Sequence, residues 1–435
     1  MTTRKQKLGM GIALGLATLL VAAAPVRAEP QAGQTIDKSN WQEVKDLLPD
    51  SMLNYVKKGD YILKIGKLNY DPVPEPKFQS ASESNGGKYG IDNEGGLIDP
   101  KTGKRPEYIY GFPFPKIDPK DPNAGVKVLW NKWYALFKTS QNYFPFSVDW
   151  VARSGFERRI HAQVSTMYYD GRPNRIPNPD ETELREIIQV LGPASVQGIV
   201  QLTWRYMDNR PDSVWAYSPA IRRTRQLSSA NRSDPFLGSD FVNDDSSLWF
   251  GKNQSFTWKL IGQQDVLVQT AGPDPVKLEA GQKWAGGQEW KSTSAFPGAK
   301  WGFEDKGWTG APWAATNMIW VKRPVWVVEG QPRDPYYSYG RQIFYVDREN
   351  YGMYYKIVYN RAGEYWKTVM VDMDPAWNPD GSERFGLVAF TLAIDDKTDH
   401  ASTDPAASSE NIFQFNTPRM QPDMFTVDGL LRFGK

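Results

Sequence analysis

The spacing of apolar and polar residues changes along the chain, predicting a short helical start and then a long run of strands. Between residues 39 and 58, Trp41, Val44, Leu48, Met52, Tyr55 and Val56 recur at helical intervals. Ser39 suits the N-cap, Pro49 divides the segment into two short helices, and Gly59 suits the stop. Residues 67–126 show no period and carry DPVPEPK, GGKYG and FPFPKIDPKDP, which reads as extended chain and turns over a surface. From Phe156 the period drops to two, as ERRIHAQVSTMYY alternates into the turn DGRP. A short helix is expected from about 181 to 191, with Asp180 as its cap. SVQGIVQLTWRYMD, VWAYS and IRRTRQLS then read as three strands with tight connections, an antiparallel meander.

Residues 271–312 form a Gly- and Trp-rich insertion without clear periodicity. Strand character returns in NMIWVKRPVWVVEG, RQIFYVDRE and FGLVAFTLAID. GMYYKIVYNRAGEYWKTVMVDMD reads as a hairpin around residues 360–363, where Gly363 is free to take positive φ. The tail from 396 onward is polar and punctuated by proline. With no linker in view, residues 29–435 are expected to form a single mainly β (α+β) domain built on one large antiparallel sheet.

The first 28 residues change the charge picture. Arg4, Lys5 and Lys7 precede an uncharged stretch from Leu8 to Ala24, and Val26-Arg27-Ala28 offers the small residue before a cleavage point. This order is that of a signal peptide cut after Ala28, placing the mature chain in the periplasm. Loss of Arg4, Lys5, Lys7 and Arg27 leaves 48 basic against 50 acidic residues, so the formal charge of +2 becomes −2. A near-neutral chain of mixed sign gives no electrostatic case for a nucleic-acid partner.

The chain has no cysteine, which excludes disulfides, thiol catalysis, thiolate metal sites and a lipid-modified cysteine anchor. His161 and His400 are the only histidines, too few for a His-rich metal centre. No metal, cofactor or catalytic residue is assigned, because G-x-S-x-G, S-x-x-K, H-E-x-x-H, P-loop and G-x-G-x-x-G patterns are missing from the mature chain.

Candidate chemistry concentrates in VWAYSPAIRRTRQLSSANRSDPFLGSDFVNDD, residues 214–245. Asp234, Asp240, Asp244 and Asp245 sit beside Pro, Gly, Ser or Asn and read as turn-forming carboxylates rather than an acid/base pair. Ser228, Ser229 and Ser239 have no general base nearby in sequence. In an extended strand Arg223 and Arg225 share a face, where they could meet a carboxylate or phosphate headgroup or lie solvated. Trp215 and Tyr217 share one face of their strand, while Phe236, Leu237 and Phe241 flank a loop that folds over apolar surface; these five make the expected ligand wall. Trp284, Trp290, Trp301, Trp308 and Trp313 could stack on sugars or pack the insertion against the sheet, the second being the simpler account.

At VWAYSPAIRRTRQLSS and GSDFVNDD the chain resembles the LolA/LolB-like outer-membrane lipoprotein-sorting superfamily. More specifically it is similar to a domain-of-unknown-function family of large periplasmic members within that clan. The pattern is carried by Trp215, Tyr217, Pro219, Arg222, Arg223, Arg225, Ser228, Ser229, residues 238–241, Asp244 and Asp245. Gly192-Pro193-Ala194 with SVQGIVQLTW, the stretch from VWVVEG to GEYWKTV, and the NWQEVKDLLP, GFPFP and LWNKW elements agree with it, covering most of 39–394.

The resemblance implies a curved, unclosed antiparallel sheet whose concave side is plugged by helices, the predicted segments at 39–58 and 181–191 supplying them. It also implies a non-enzymatic carrier or chaperone that holds an amphiphilic, acyl-bearing lipid or lipoprotein in an apolar hollow. An RND-type inner-membrane exporter and an outer-membrane protein are the implied partners. The Pro-rich 67–126 segment and the 271–312 insertion depart from LolA itself and leave the cargo open. Two other readings stand beside the carrier: a carbohydrate-binding or carbohydrate-active protein using exposed Trp and paired Asp, and an accessory subunit that only bridges an export system.

Overall fold

The computed structural model describes Met1 and residues 29–136, 141–170, 176–293, 298–406 and 411–434. The leader expected over 1–28 thus lies, Met1 apart, outside the described residues. Among the described residues no helix is long and apolar enough to cross a membrane.

Two small ladders stand apart: β1 (Thr35–Ile36) with β2 (Leu63–Lys64), and β3 (Gly90–Ile91) with β4 (Leu97–Ile98). The other strands join in one sheet of 16. It begins as a meander of β5 (Gln141–Ala152), β6 (Gly155–Tyr168), β7 (Thr182–Gly192), β8 (Val200–Tyr206), β9 (Ser213–Ser218) and β10 (Arg223–Leu227). Next come β11 (Phe256–Thr270), the hairpin β12 (Val276–Trp284) and β13 (Gly287–Ser292), β14 (Ile319–Pro332) and β15 (Gln342–Asp347). The last are β16 (Met353–Tyr359), β17 (Tyr365–Trp377), β18 (Arg384–Asp395), β19 (His400–Asp404) and β20 (Gln414–Phe415).

The second half runs β11-β14-β15-β16-β17-β18-β19, and β19 pairs with β5 to join the meander. Pairing is antiparallel except for a two-residue parallel contact of β12 with β17. The end strands β10 and β11 have one neighbour each, so the sheet does not close into a barrel. A side path from β17 through β12, β13 and β20 returns to β5.

Helices α1 (Asp50–Lys58), α2 (Pro76–Asn85), α3 (Ala124–Leu136) and α4 (Val427–Phe433) pack on this sheet. The segment 39–58 folds as expected, with a 3-10 turn at Trp41–Val44, a break at Pro49, and Gly59 closing α1 at φ 85°. Its Val44, Met52 and Val56 share a core with Trp301, Trp313 and Trp320, all buried on one side of the sheet. The opposite side carries α3 and the loop of residues 232–256, through Val128, Leu129, Phe241, Leu248 and Trp249. Helix α1 therefore lies on the face away from that loop.

Several elements differ from the sequence reading. The helix expected over about 181 to 191 is strand β7, because both of its faces are buried. Leu184, Glu186 and Ile188 point one way and Ile187 the other, so apolar residues occur on both sides and the strand period is masked. Strand β5 carries Pro145 in its interior, a residue that demotes a run as a strand. Helix α3 is buried nearly all round and shows no polar face. Residues 67–126 contain α2 and supply Phe78, Phe112 and Phe114 to the cores, and the 271–312 insertion contains β12 and β13.

Helix α3 approaches β11 closely enough that a Cβ on Gly125 would sit 2.8 Å from the Lys259 backbone nitrogen. A Gly125→Val change is expected to cost about 1–3 kcal/mol through overpacking. A urea midpoint equal to that of the parent chain would refute this close contact.

Candidate functional site

Between the sheet and the 232–256 loop lies a cavity of about 170 Å³. Its floor follows from strand register. One row runs across the sheet as Phe144, Val164, Ile188, Gln201, Ala216 and Arg225, and the first four of these line the cavity. Phe413 and Phe415 close one side, with ring centroids 4.8 and 5.5 Å from that of Phe144. Phe236, Phe241, Val242 and Phe250 of the loop form the roof.

Of the residues expected to wall a ligand, Phe236 and Phe241 are here, whereas Leu237 packs half-buried beside the loop core without lining the cavity. Trp215 and Tyr217 lie elsewhere. The alternation read from the sequence is right, but register pairs them with Leu202 and Val200, on the face opposite the cavity. There Trp215 meets Trp204 edge-on at 5.5 Å and both rings pack under α4 with Leu430 and Phe433. The small residue Ala216 takes the cavity side instead. Arg223 and Arg225 are exposed on the edge strand β10, two strands beyond Gln201 and so roughly 10 Å outside the cavity.

The roof is fixed by buried charge. Arg232 Nε donates to Asp244 at 2.7 Å and its Nη2 to the Phe250 carbonyl at 2.9 Å. Arg205 pairs with Asp212 at 2.8 Å, and Tyr337 donates to Asp244 at 2.9 Å. Asp245 accepts from Tyr339 Oη at 2.9 Å and from the Val242 N–H at 2.8 Å, and it forms a close ion pair with Lys356. Asp244, Asp245 and Lys356 are almost completely buried. The turn reading of these two aspartates captures the Val242 contact and misses the ion pairs. Asp244 pairs with Arg232 of the same loop, whereas Lys356 of β16 and the tyrosines of the PYYSYG stretch are too distant for local sequence to reveal.

Asp240 adds a tether, meeting His400 Nδ1 at 2.6 Å, Ser402 Oγ at 2.8 Å and, through its carbonyl, Lys367 Nζ at 2.9 Å. Ser, His and Asp are adjacent here, but the serine donates to the carboxylate and not to the imidazole. Nucleophilic catalysis needs the base on the hydroxyl, so this trio acts as a clamp. Asp234 remains a surface turn residue bonded to Asn231 at 2.6 Å. Among the described residues no group of three His, Cys, Asp or Glu could hold a metal ion.

Besides Asp245, two acids line the cavity, Glu186 from β7 and Asp404 from β19. Burial pushes the Glu186 carboxyl up to about 7, against the opposing pull of Arg232 and Arg205. Burial, with Asp149 nearby, holds Asp404 well above the usual carboxylate range. Nothing in the local sequence marked either acid.

The insertion's tryptophans are packed inward. Trp301 and Trp313 are 1% exposed, Trp290 and Trp308 lie half-buried against the same core, and Trp284 donates to the Asn416 carbonyl at 3.0 Å.

No curated protein matches the chain. Among solved structures, a domain named for outer membrane lipoprotein sorting from Vibrio parahaemolyticus is 14% identical, covering 72% of this chain and 100% of its own, with a TM-score of 0.48. A DUF1329 family protein from Desulfovibrio piger is 13% identical over 72% of this chain and 100% of its own, at 0.47. A LolA superfamily protein from Nitrosomonas europaea is 14% identical over 69% and 96%, at 0.41. The family profile described as "Protein of unknown function (DUF1329)" matches residues 35–431, and this chain belongs to that family.

Proposed function

We propose that this protein is a carrier or chaperone for an amphiphilic, acyl-bearing ligand, a lipid or a lipoprotein, and that it works without catalysing a reaction. The supporting observation is the cavity itself: an aromatic and aliphatic hollow between the sheet and a tethered roof. At about 170 Å³ it is smaller than the roughly 300–1,000 Å³ of ordinary small-molecule sites, which suits an acyl tail rather than a whole lipid. The rest of the ligand would stay outside, on the side of the row that leads to Arg225 and Arg223. Export by the leader cut after Ala28, and docking to an RND-type exporter and an outer-membrane protein, are part of the same reading.

Native mass spectrometry of the purified protein tests it. Co-purifying acyl species are expected, and a protein that is empty and ignores added lipid would refute the reading. Val164→Trp, which fills the floor, is expected to weaken acyl-ligand binding at least about tenfold while the fold is kept. Crosslinking in cells distinguishes a free carrier from a subunit that only bridges an exporter and a channel.

A further inference from the structure

Glu186 sits in the middle of the cavity floor, between Thr166 of β6 and Thr203 of β8 in register. It is 8% exposed, and its carboxyl has no hydrogen-bond partner among the described residues. Asp404 faces the same space, and its Oδ1 is buried without a hydrogen-bond partner. The cavity thus presents two acceptors that the protein leaves unmatched.

The neighbouring cations are already committed. Arg232, the one basic residue among the described residues of the lining, is divided between Asp244, Asp212 and the Phe250 carbonyl. Arg205 is paired with Asp212, and although its Nη1 has no acceptor, it does not reach the cavity lining. Arg205 and Arg232 make their ion pairs with Asp212 and Asp244, so neither closes an ion pair with Glu186. Lining residue Asp245 is satisfied by Lys356 and Tyr339.

We propose that the polar group entering the cavity with the ligand is a hydrogen-bond donor and not an anion, a hydroxyl or an amine received by the carboxyls of Glu186 and Asp404. This rests on the carrier reading above. A buried acceptor without a donor costs free energy that a hydroxyl or amine recovers. A carboxylate or phosphate would add like charge in a poorly solvated space, where repulsion is least screened. The inference narrows the cargo to neutral or cationic amphiphiles at the buried end. Anionic parts of a larger lipid remain outside.

Displacement of the fluorophore 1-N-phenylnaphthylamine from the delipidated full chain at pH 8 decides the matter. Monolauroylglycerol and dodecylamine are expected to displace it at concentrations about tenfold lower than laurate. The better of the two tells hydroxyl from amine. Glu186→Gln, with Asp404→Asn as a second variant, should bring laurate to within about threefold of the others. Laurate displacing as well as or better than the other two, or a preference unchanged in both variants, overturns the inference while leaving the carrier reading intact. Displacement by none of the three overturns both.

Discussion

Replacing Asp245 by alanine should lower the free energy of unfolding by about 3–5 kcal/mol, because it strands a buried ammonium. Lys356 lies on β16 with no exposure, and Asp245 is the carboxylate in contact with it. The same change removes the acceptor for Tyr339 and the cap on the Val242 N–H. Asp234→Ala in the same stretch, where the side chain is exposed, should stay within about 0.5 kcal/mol. Urea unfolding of the two variants beside the parent tests this directly, and equal midpoints for Asp245→Ala and the parent would dismiss the pair as structural. Replacing Asp245 and Lys356 together by apolar residues of similar size should restore much of the loss, since the cost lies in the unmatched charge. An enzyme using paired aspartates would instead lose activity and keep its stability.

Glu186→Gln should act in the opposite direction and depend on pH. Its folded-state carboxyl titrates at about 7, above the ordinary value of 4.5. The folded chain therefore binds this proton more tightly than the unfolded chain does. The stability this provides is complete below about pH 4.5 and lost as pH rises through 7. Glutamine imitates the protonated acid and escapes that loss, so the variant should gain up to about 3 kcal/mol over the parent at pH 8 and little at pH 5. Asp374, pushed up to about 6, and Asp372, pushed well above the carboxylate range, are held up mainly by burial and act with the same sign. Lys132 and Lys252, pushed down to about 7 and about 8 mainly by burial, act with the opposite sign, so it is the difference between Glu186→Gln and the parent that reads this carboxyl. A Glu186→Gln gain of equal size at both pH values would show that Glu186 is not protonated in the fold.

The parts of the fold legible in sequence were those with a clean period. Strands β8 to β10, the hairpin at residues 360–363 and the break at Pro49 follow from alternation and from turn chemistry acting within a few residues. Strand β7 and helix α3 escaped for one reason: an element buried on all sides loses the contrast that periodicity measures. At the site, alternation placed Trp215 and Tyr217 together but could not say which face the roof would cover. That choice is made by α4 and by the 232–256 loop, whose ion-pair partners lie far away in the chain. The place of Phe236 and Phe241 over an apolar surface was legible because they flank a turn that folds back. Glu186 and Asp404 became visible only once register brought them to one space.

The origin of the cavity walls has a kinetic consequence. Phe144 comes from the first strand of the large sheet and Phe415 from the last, while the roof is anchored to β16, β17 and β19. Contacts between such distant segments form late, since loop closure must be paid before they are rewarded. Binding competence should then appear in the final phase of folding, after the meander has formed. A chain stalled halfway would expose the same aromatic residues to water with no ligand to cover them, which makes the late intermediates of this fold its aggregation-prone species.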